Sequence, residues 1–438
     1  MAIMQSNRSL KGVVVPHHKH TEDTESVMFQ DIDEICIPML QHMGAPCTPI
    51  VKVGEQVTVG QKIGESEQFL SAPIHSSCSG TVKRIDEYMT AAGVKTHLVI
   101  IANDHQYQVS SEIQKPQIHD YQSFVDVVRE SGLVGLGGAG FPVHVKLSYK
   151  DIDRIQKLVI NAAECEPFIT ADYRECIENT QNVLDGIEAV CKYLNISDVY
   201  FGIEANKPKA LELLDQKTAN LPHFHVVRLK QLYPQGAEKS IIYATTGIAV
   251  PSGKLPADCG VLVMNVSSVG FIGSLLKNGM PLTLKRITVD GDAIKHPKNL
   301  IVPIGTPIQD ILDHCEMNTT PKKVLMGGPM MGIAVSDLQT PIIKNNNAIL
   351  AFSENEIEPY KTTACIRCGR CVAGCPMNLM PTMLEKAYDR RDAEELNELQ
   401  INLCINCGCC SYTCPAKRQL AQKNQLAKAF ARKHSSVK

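Results

Sequence analysis

Two short cysteine runs near the C-terminus carry the clearest chemistry in this 438-residue chain. The first reads Cys365-Ile-Arg-Cys368-Gly-Arg-Cys371-Val-Ala-Gly-Cys375-Pro376 and the second Cys404-Ile-Asn-Cys407-Gly-Cys-Cys410-Ser-Tyr-Thr-Cys414-Pro415. Each is C-x2-C-x2-C-x3-C-P, in which three close thiolates wrap three irons of a cubane and the fourth, turned away before its proline, ligates the neighbouring cluster. One [4Fe-4S] cluster is therefore expected on Cys365, Cys368, Cys371 and Cys414, and the other on Cys404, Cys407, Cys410 and Cys375. Structural zinc sites would favour C-x2-C pairs separated by longer loops, whereas thiolates this crowded suit soft iron–sulfur ligation. Such clusters move single electrons. Cys409 falls outside the repeated register and reads as a spare thiol, and the other eight cysteines as small buried hydrophobes.

A glycine-rich run, Gly135-Leu-Gly137-Gly138-Ala-Gly140-Phe141-Pro142, offers a second chemistry. It contains G-x-G-x-x-G, but that fingerprint belongs after a strand, and here Phe124, Val127 and Val128 at helical spacing precede it. Consecutive glycines still let backbone amides approach a phosphate or a flat ring, and Lys146 a turn later adds charge. A tight helix-to-strand turn is the plainer alternative. Further polar groups follow in Asn161-Ala-Ala-Glu164-Cys-Glu166-Pro167, in Tyr233-Pro-Gln-Gly236-Ala-Glu238-Lys239 and at Asn265.

The elements that must position these residues divide the chain into four. Residues 1–115 alternate in the two-residue period of short strands, as in Val51 to Gly64, and predict a small β domain. It resembles the barrel-sandwich hybrid domains of lipoyl and biotinyl carriers, with a second half at Ala72 to Val82. No lysine stands between Gly64 and Ala72 to carry a cofactor, so a scaffold is expected. Residues 116–275 mix helical spacing with the buried strand Leu158-Val-Ile160, an α/β pattern. The apolar stretch Val261 to Leu276 is too short and too interrupted to span a membrane and reads as core. Residues 276–345 predict short strands with a turn at Asp290-Gly291 and resemble the SLBB β-grasp module, and the polar run Lys344 to Asn347 reads as a linker or turn. In residues 346–438 the two cysteine motifs are separated by one or two amphipathic helices between Pro381 and Gln400, which resembles α-helical ferredoxin domains.

The hydrophobic fraction of 44%, the charged fraction of 21% and the net charge of -2 describe an ordinary globular chain with no electrostatic footprint for nucleic acid. No signal-peptide pattern opens the sequence, so cytosolic thiols held for metal are expected rather than disulfides. His17, His18 and His20 have no carboxylate or cysteine beside them and read as a surface loop, and the basic tail with Lys417, Arg418, Lys423, Lys428, Arg432, Lys433 and Lys438 as a solvated helix.

The segments Gly138 to Pro142, Asn161 to Pro167, Tyr233 to Lys239 and Asn265 stand in the order found in the flavoprotein subunit of respiratory complex I, which this region resembles. The resemblance implies that Gly135, Gly137, Gly138, Gly140, Lys146, Asn161, Glu164, Tyr233, Gly236, Glu238 and Asn265 line an FMN site, with Phe141, Glu166 and Glu238 contacting NAD(H). The complex I pattern has an arginine where Leu136 stands and acidic residues where Ala163 and Ala237 stand, so contacts there must differ. With Pro251-Ser-Gly-Lys-Leu-Pro-Ala257, the whole domain order resembles the C subunits of Rnf electron transport complexes. That implies a peripheral subunit on the cytoplasmic face of the cell membrane, passing electrons between NAD(H), FMN and two [4Fe-4S] clusters. Its partners would be the other subunits of an ion-translocating complex and, through one of them, ferredoxin. A flavin joins the two chemistries because it exchanges hydride with nicotinamide and single electrons with clusters. A soluble cobalamin reductase of propanediol utilisation shares this domain order, and a pure electron relay without a nucleotide site is a rival of another kind.

Overall fold

The computed structural model describes residues 3–90, 93–356 and 361–434; of the basic tail, Lys438 lies outside them. The small β domain is two sheets. Glu34–Pro38, Lys95–Asn103, Gly80–Met89 and Gln56–Val57 form one in that order, and Thr48–Pro49, Lys62–Glu65 and Ile74–His75 the other. Alternate residues point inward, and Ile35, Ile37, Ile63, Ile74, Val82, Val99 and Ile101 are fully buried between them. At the hairpin tip where a carrier would present its lysine, the Phe69 ring meets His144 edge-on at 5.7 Å. His144 Nε2 is also 3.1 Å from the Phe69 carbonyl, so the tip is a brace against the next unit.

That next unit is a parallel five-stranded sheet in the order Met4–Gln5, Phe224–Leu229, Asp198–Glu204, Lys157–Ala162, Val261–Asn265. Helices cover both faces, which is why Leu158 to Ile160 and Val261 to Met264 are continuous apolar runs. The stretch read as core is a strand, Val261–Asn265, running straight into the helix Val266–Asn278. Chain order reverses between Lys157–Ala162 and Val261–Asn265. The carboxyl ends of two such strands form a crevice where ligands bind in open α/β sheets.

The helix Val266–Asn278 crosses Thr180–Leu194 on glycines. A Cβ at Gly186 would sit 1.9 Å from the Val269 carbonyl, and one at Gly273 2.0 Å from that of Asn182. Gly186→Ala therefore must force two backbones apart. A cost of about 1–3 kcal/mol is expected, read as a fall of several degrees in the thermal midpoint, and an unchanged midpoint would show that the crossing relaxes freely.

The third sheet runs Ile333–Val335, Lys323–Met326, Ala348–Phe352, Leu284–Asp290, Lys298–Pro303, Ser26–Met28, with the helix Ile308–His314. Asp290-Gly291 opens the hairpin, but the connection to Lys298 is longer than a two-residue turn. Strands also ignore the sequence boundaries drawn at 115 and 345. Met4–Gln5 and Ser26–Met28 lie within 1–115 yet pair with the second and third sheets, and Ala348–Phe352 lies past 345 yet pairs within the third. The N-terminal segment is thus a strap. His17 meets Asn206, His18 stacks on Phe168, and His20 bonds Asp290 at 3.1 Å, each to a different partner.

The run Lys344 to Asn347 is a junction, not a linker. Lys344 is 1% exposed and its Nζ donates to the carbonyls of Pro73 at 2.6 Å and Gly132 at 2.7 Å, joining three units, while burial pulls its pKa down to about 7. In the last unit Pro381–Asp389 and Ala393–Glu398 are the two expected helices. The tail helix Leu420–His434 packs on them through Leu420, Asn424, Ala427 and Ala431, one stripe at helical spacing, so it is half-buried rather than merely solvated. Among the described residues no helix is long and apolar enough to cross a membrane.

Candidate functional site

At the switch point Asn161 and Asn265 are register partners at the ends of adjacent strands. Asn265 caps its helix, accepting from the backbone N–H of Ser267 at 3.0 Å and of Ser268 at 3.3 Å. Asn161 Nδ2 donates to the Gly236 carbonyl at 2.8 Å, fixing the Tyr233 to Glu238 turn beside the strand. The glycine loop lies against Asn265. Its Gly137 comes so near that a Cβ would stand 2.9 Å from Asn265 Nδ2, which is why no side chain fits there.

The loop is held by its flanks and open at its crown. Leu136 N–H donates to Ser268 Oγ, Lys285 Nζ and Asn345 Nδ2 donate to the carbonyls of Leu136 and Gly138, and Met43 N–H to that of Gly140. Gly138 and Gly140 take φ of 115° and 65°, which glycine adopts without strain. The exposed backbone N–H groups of Gly137, Gly138 and Ala139 have no acceptor among the described residues. Three such amides in succession form a nest for an anion or a polar ring edge. Lys146 stands at the rim, donating to Glu238 Oε1 at 3.0 Å and to the Val263 carbonyl at 2.9 Å. The residues present fit a flavin mononucleotide.

Removing Lys146 separates two roles. If it faces the bound phosphate, Lys146→Ala should weaken FMN binding about tenfold, the worth of one charge-assisted hydrogen bond, with iron content unchanged. Flavin fluorescence titration reads this, and an unchanged affinity would leave Lys146 as a strut between Glu238 and Val263.

Three predicted residues stand elsewhere. Both oxygens of Glu166 accept backbone N–H groups of the third unit, from Met330 at 3.0 Å and Met331 at 2.9 Å, so this half-buried carboxylate fastens the second unit to the third. Tyr233 is 1% exposed, with its hydroxyl 3.4 Å from Glu166 Oε1 and its side chain packed with Val13, Val15, Cys407 and Cys409. Glu164 sits one layer back, where Oε1 accepts the Asp172 N–H at 2.6 Å; burial pushes its pKa up, beside Lys19, which burial pushes down. Phe141 is half-buried and Glu238 is exposed, paired with Lys146 at 3.0 Å. The residue that sequence reasoning missed is Asp172, whose carboxylate accepts from Asn265 Nδ2 at 2.7 Å and Ser267 Oγ at 2.6 Å.

Cys375 of the first motif lines one cavity with Cys404, Cys407, Cys409 and Cys410 of the second, walled by Pro376, Met377, Leu379 and Ile405. Among the described residues no three Cys, His, Asp or Glu side chains converge at single-ion distance. Beside the first motif, the Arg418 guanidinium is bound to Glu385 at 2.7 and 2.9 Å. Cys409, the spare thiol, is buried against the Tyr233 carbonyl at 3.7 Å.

A flavin-type site at a switch point, sharing one turn with a two-motif ferredoxin unit, defines an iron–sulfur flavoprotein of the electron-transfer class. Comparison with known proteins narrows this. Residues 8–106 match the RnfC barrel sandwich hybrid domain, residues 128–273 the Nuo51 FMN-binding domain and residues 364–418 the 4Fe-4S dicluster domain. The C subunit of the proton-translocating ferredoxin:NAD(+) oxidoreductase complex of Clostridium ljungdahlii is 40% identical over 404 residues, 90% of this chain and 88% of that protein. The Na(+)-translocating counterpart of Acetobacterium woodii is 38% identical over 387 residues, 87% of each. In structure, an NAD+-reducing [NiFe]-hydrogenase in its H2-reduced state superposes with a TM-score of 0.51 at 18% identity over 71% of this chain and 63% of that one, which shows the fold. The chain belongs to the C-subunit family of Rnf ion-translocating ferredoxin:NAD oxidoreductase complexes.

Proposed function

We propose that this chain is the NAD(H)-reacting electron-transfer subunit of a membrane-bound ferredoxin:NAD oxidoreductase, seated peripherally on its cytoplasmic face. Gly135, Gly137, Gly138, Gly140, Lys146, Asn161, Gly236 and Asn265 hold FMN, with Phe141 and Glu238 at the opening for NAD(H). Cys365, Cys368, Cys371 and Cys414 hold one [4Fe-4S] cluster, and Cys404, Cys407, Cys410 and Cys375 the other. When bound, the flavin supplies hydride exchange with nicotinamide and the clusters supply one-electron exchange. The residues themselves bind, orient and exclude water.

One observation carries the reading. The turn Tyr233 to Gly236 touches both sites, with the Gly236 carbonyl bonded to Asn161 and the Tyr233 carbonyl to Val13 and Cys409. The second cysteine group is therefore the inner one and the first the outer. The kinship with proteins named as ferredoxin:NAD oxidoreductase subunits favours this over a cobalamin reductase, and the open amides of the loop favour it over a relay without a nucleotide site. Anaerobic titration of the FMN-loaded chain with NADH should bleach the flavin absorbance. Failure to bleach would overturn the dehydrogenase reading.

A further inference from the structure

The two cysteine motifs are copies of one backbone, and only one copy is covered. Arg367 and Asn406 stand in the same register and take φ of 56° and 55°, Gly369 and Gly408 take 75° and 81°, and Asn378 and Lys417 take 55° and 50°. In the second copy Ile405 and Asn406 are half-buried, and Cys407, Gly408 and Cys409 are buried beneath Tyr233, Val13 and Met330. A Cβ on Gly408 would stand 2.9 Å from the Met330 carbonyl. In the first copy the equivalent residues Ile366 to Arg370 are all exposed, Ile366 by 67%, and nothing lies within 4 Å of a Cβ on Gly369.

The copies differ in chemistry where they differ in cover. The covered one carries neutral Asn406 and Cys409; the open one carries Arg367 and Arg370 in their places. Among the described residues neither of these guanidinium groups has an ion pair or hydrogen bond, whereas nearby Arg418 and Lys423 are matched by Glu385 and Asp389. Two unmatched arginines around an exposed isoleucine and an exposed cluster cysteine have the composition of an interface core, where arginine and apolar anchors concentrate. The covered copy shows that this backbone can carry a packed interface on that face, there with Val13, Tyr233 and Met330.

We propose that the open copy, Ile366 to Arg370, is a docking face for a second iron–sulfur protein whose own cluster is ringed by acidic side chains. This rests on the electron-transfer role proposed above. The acidic rim follows from the unmatched arginines, and the redox partner from Cys368, since transfer between clusters falls off steeply with separation and this is the cysteine ligand left exposed. Complementary charge of this kind speeds encounter and fixes register.

The test uses the full chain loaded with FMN and clusters, added to membranes from cells lacking this subunit and sedimented across a salt series. An Arg367→Asn/Arg370→Ser variant places at these positions residues close to those the second copy already tolerates, so the backbone should hold. It is expected to rebind about tenfold more weakly than the native chain, with a flatter salt dependence, while Arg367→Lys/Arg370→Lys retains most of the binding. Rebinding as strong as native by the neutral variant overturns the proposal. So does equally strong binding of the native chain to protein-free phosphatidylglycerol vesicles, which would assign the face to lipid. Iron content and NADH bleaching are measured on the same samples, so a failure of the dehydrogenase reading is seen separately from a failure of the docking face.

Discussion

Cys375→Ala will remove the cluster of the second motif and spare that of its own. The thiol of Cys375 lines the cavity of Cys404, Cys407 and Cys410, and the Leu379 N–H lies 3.4 Å from its sulfur, in the position to stabilise a bound thiolate. Three thiolates without the fourth leave one iron open to water within a buried, apolar pocket. The variant should hold about half the native iron, since each cubane contributes four atoms. Electron paramagnetic resonance of the reduced protein should lose one spectrum, together with the coupling between the two. Cys414→Ala is the mirror experiment and should remove the cluster of Cys365, Cys368 and Cys371. Loss, in each variant, of the cluster built on that variant's own motif would mean that each motif keeps its own fourth cysteine, and the swap would be wrong.

What could be read from the sequence follows from where each interaction is written. A C-x2-C-x2-C-x3-C-P run fixes its own geometry through neighbours a few residues away, and the matched left-handed residues Arg367 and Asn406 show the backbone obeying that local rule twice. Leu158 to Ile160 could be read as buried because a parallel strand covered on both faces is apolar throughout. Lys344 could not. A lysine before three asparagines has no apolar period, and its partners Pro73 and Gly132 lie more than 200 residues away in the chain. The strands Met4–Gln5 and Ser26–Met28 are too short to show an alternation, so pattern alone groups them with the domain nearest in sequence. Glu166 and Tyr233 belong to segments that resemblance places at a flavin, and here their polar groups are taken up by the fit between units. Shared motif residues need not share contacts. Asp172 gave no signal at all, since an acidic residue in a helix's first turn is ordinary.

Asp172 nevertheless organises the crevice, and its removal should abolish tight flavin binding. Its two oxygens receive Asn265 Nδ2 and Ser267 Oγ, and its own N–H is held by Glu164, so one residue ties the Ala171–Glu178 helix to the end of the strand Val261–Asn265. Asn265 must be fixed, because the crown of the glycine loop rests against it with no room for a Cβ at Gly137. Asp172→Ala leaves a half-buried amide and a hydroxyl without their acceptor, each bond to a charged group being worth about 1.5–3 kcal/mol. If that loss is felt in the loaded state, FMN affinity should fall about 100-fold or more, since each 1.4 kcal/mol is a factor of ten. Iron content should not change, because the cysteine cavities lie beyond the Tyr233 turn. Asp172→Asn keeps one acceptor oxygen and should recover part of the affinity, a partial rescue that a general loss of folding would not give. Equilibrium flavin titration with iron analysis on the same samples decides it. Native affinity in Asp172→Ala would show that Asn265 is held by its helix cap alone.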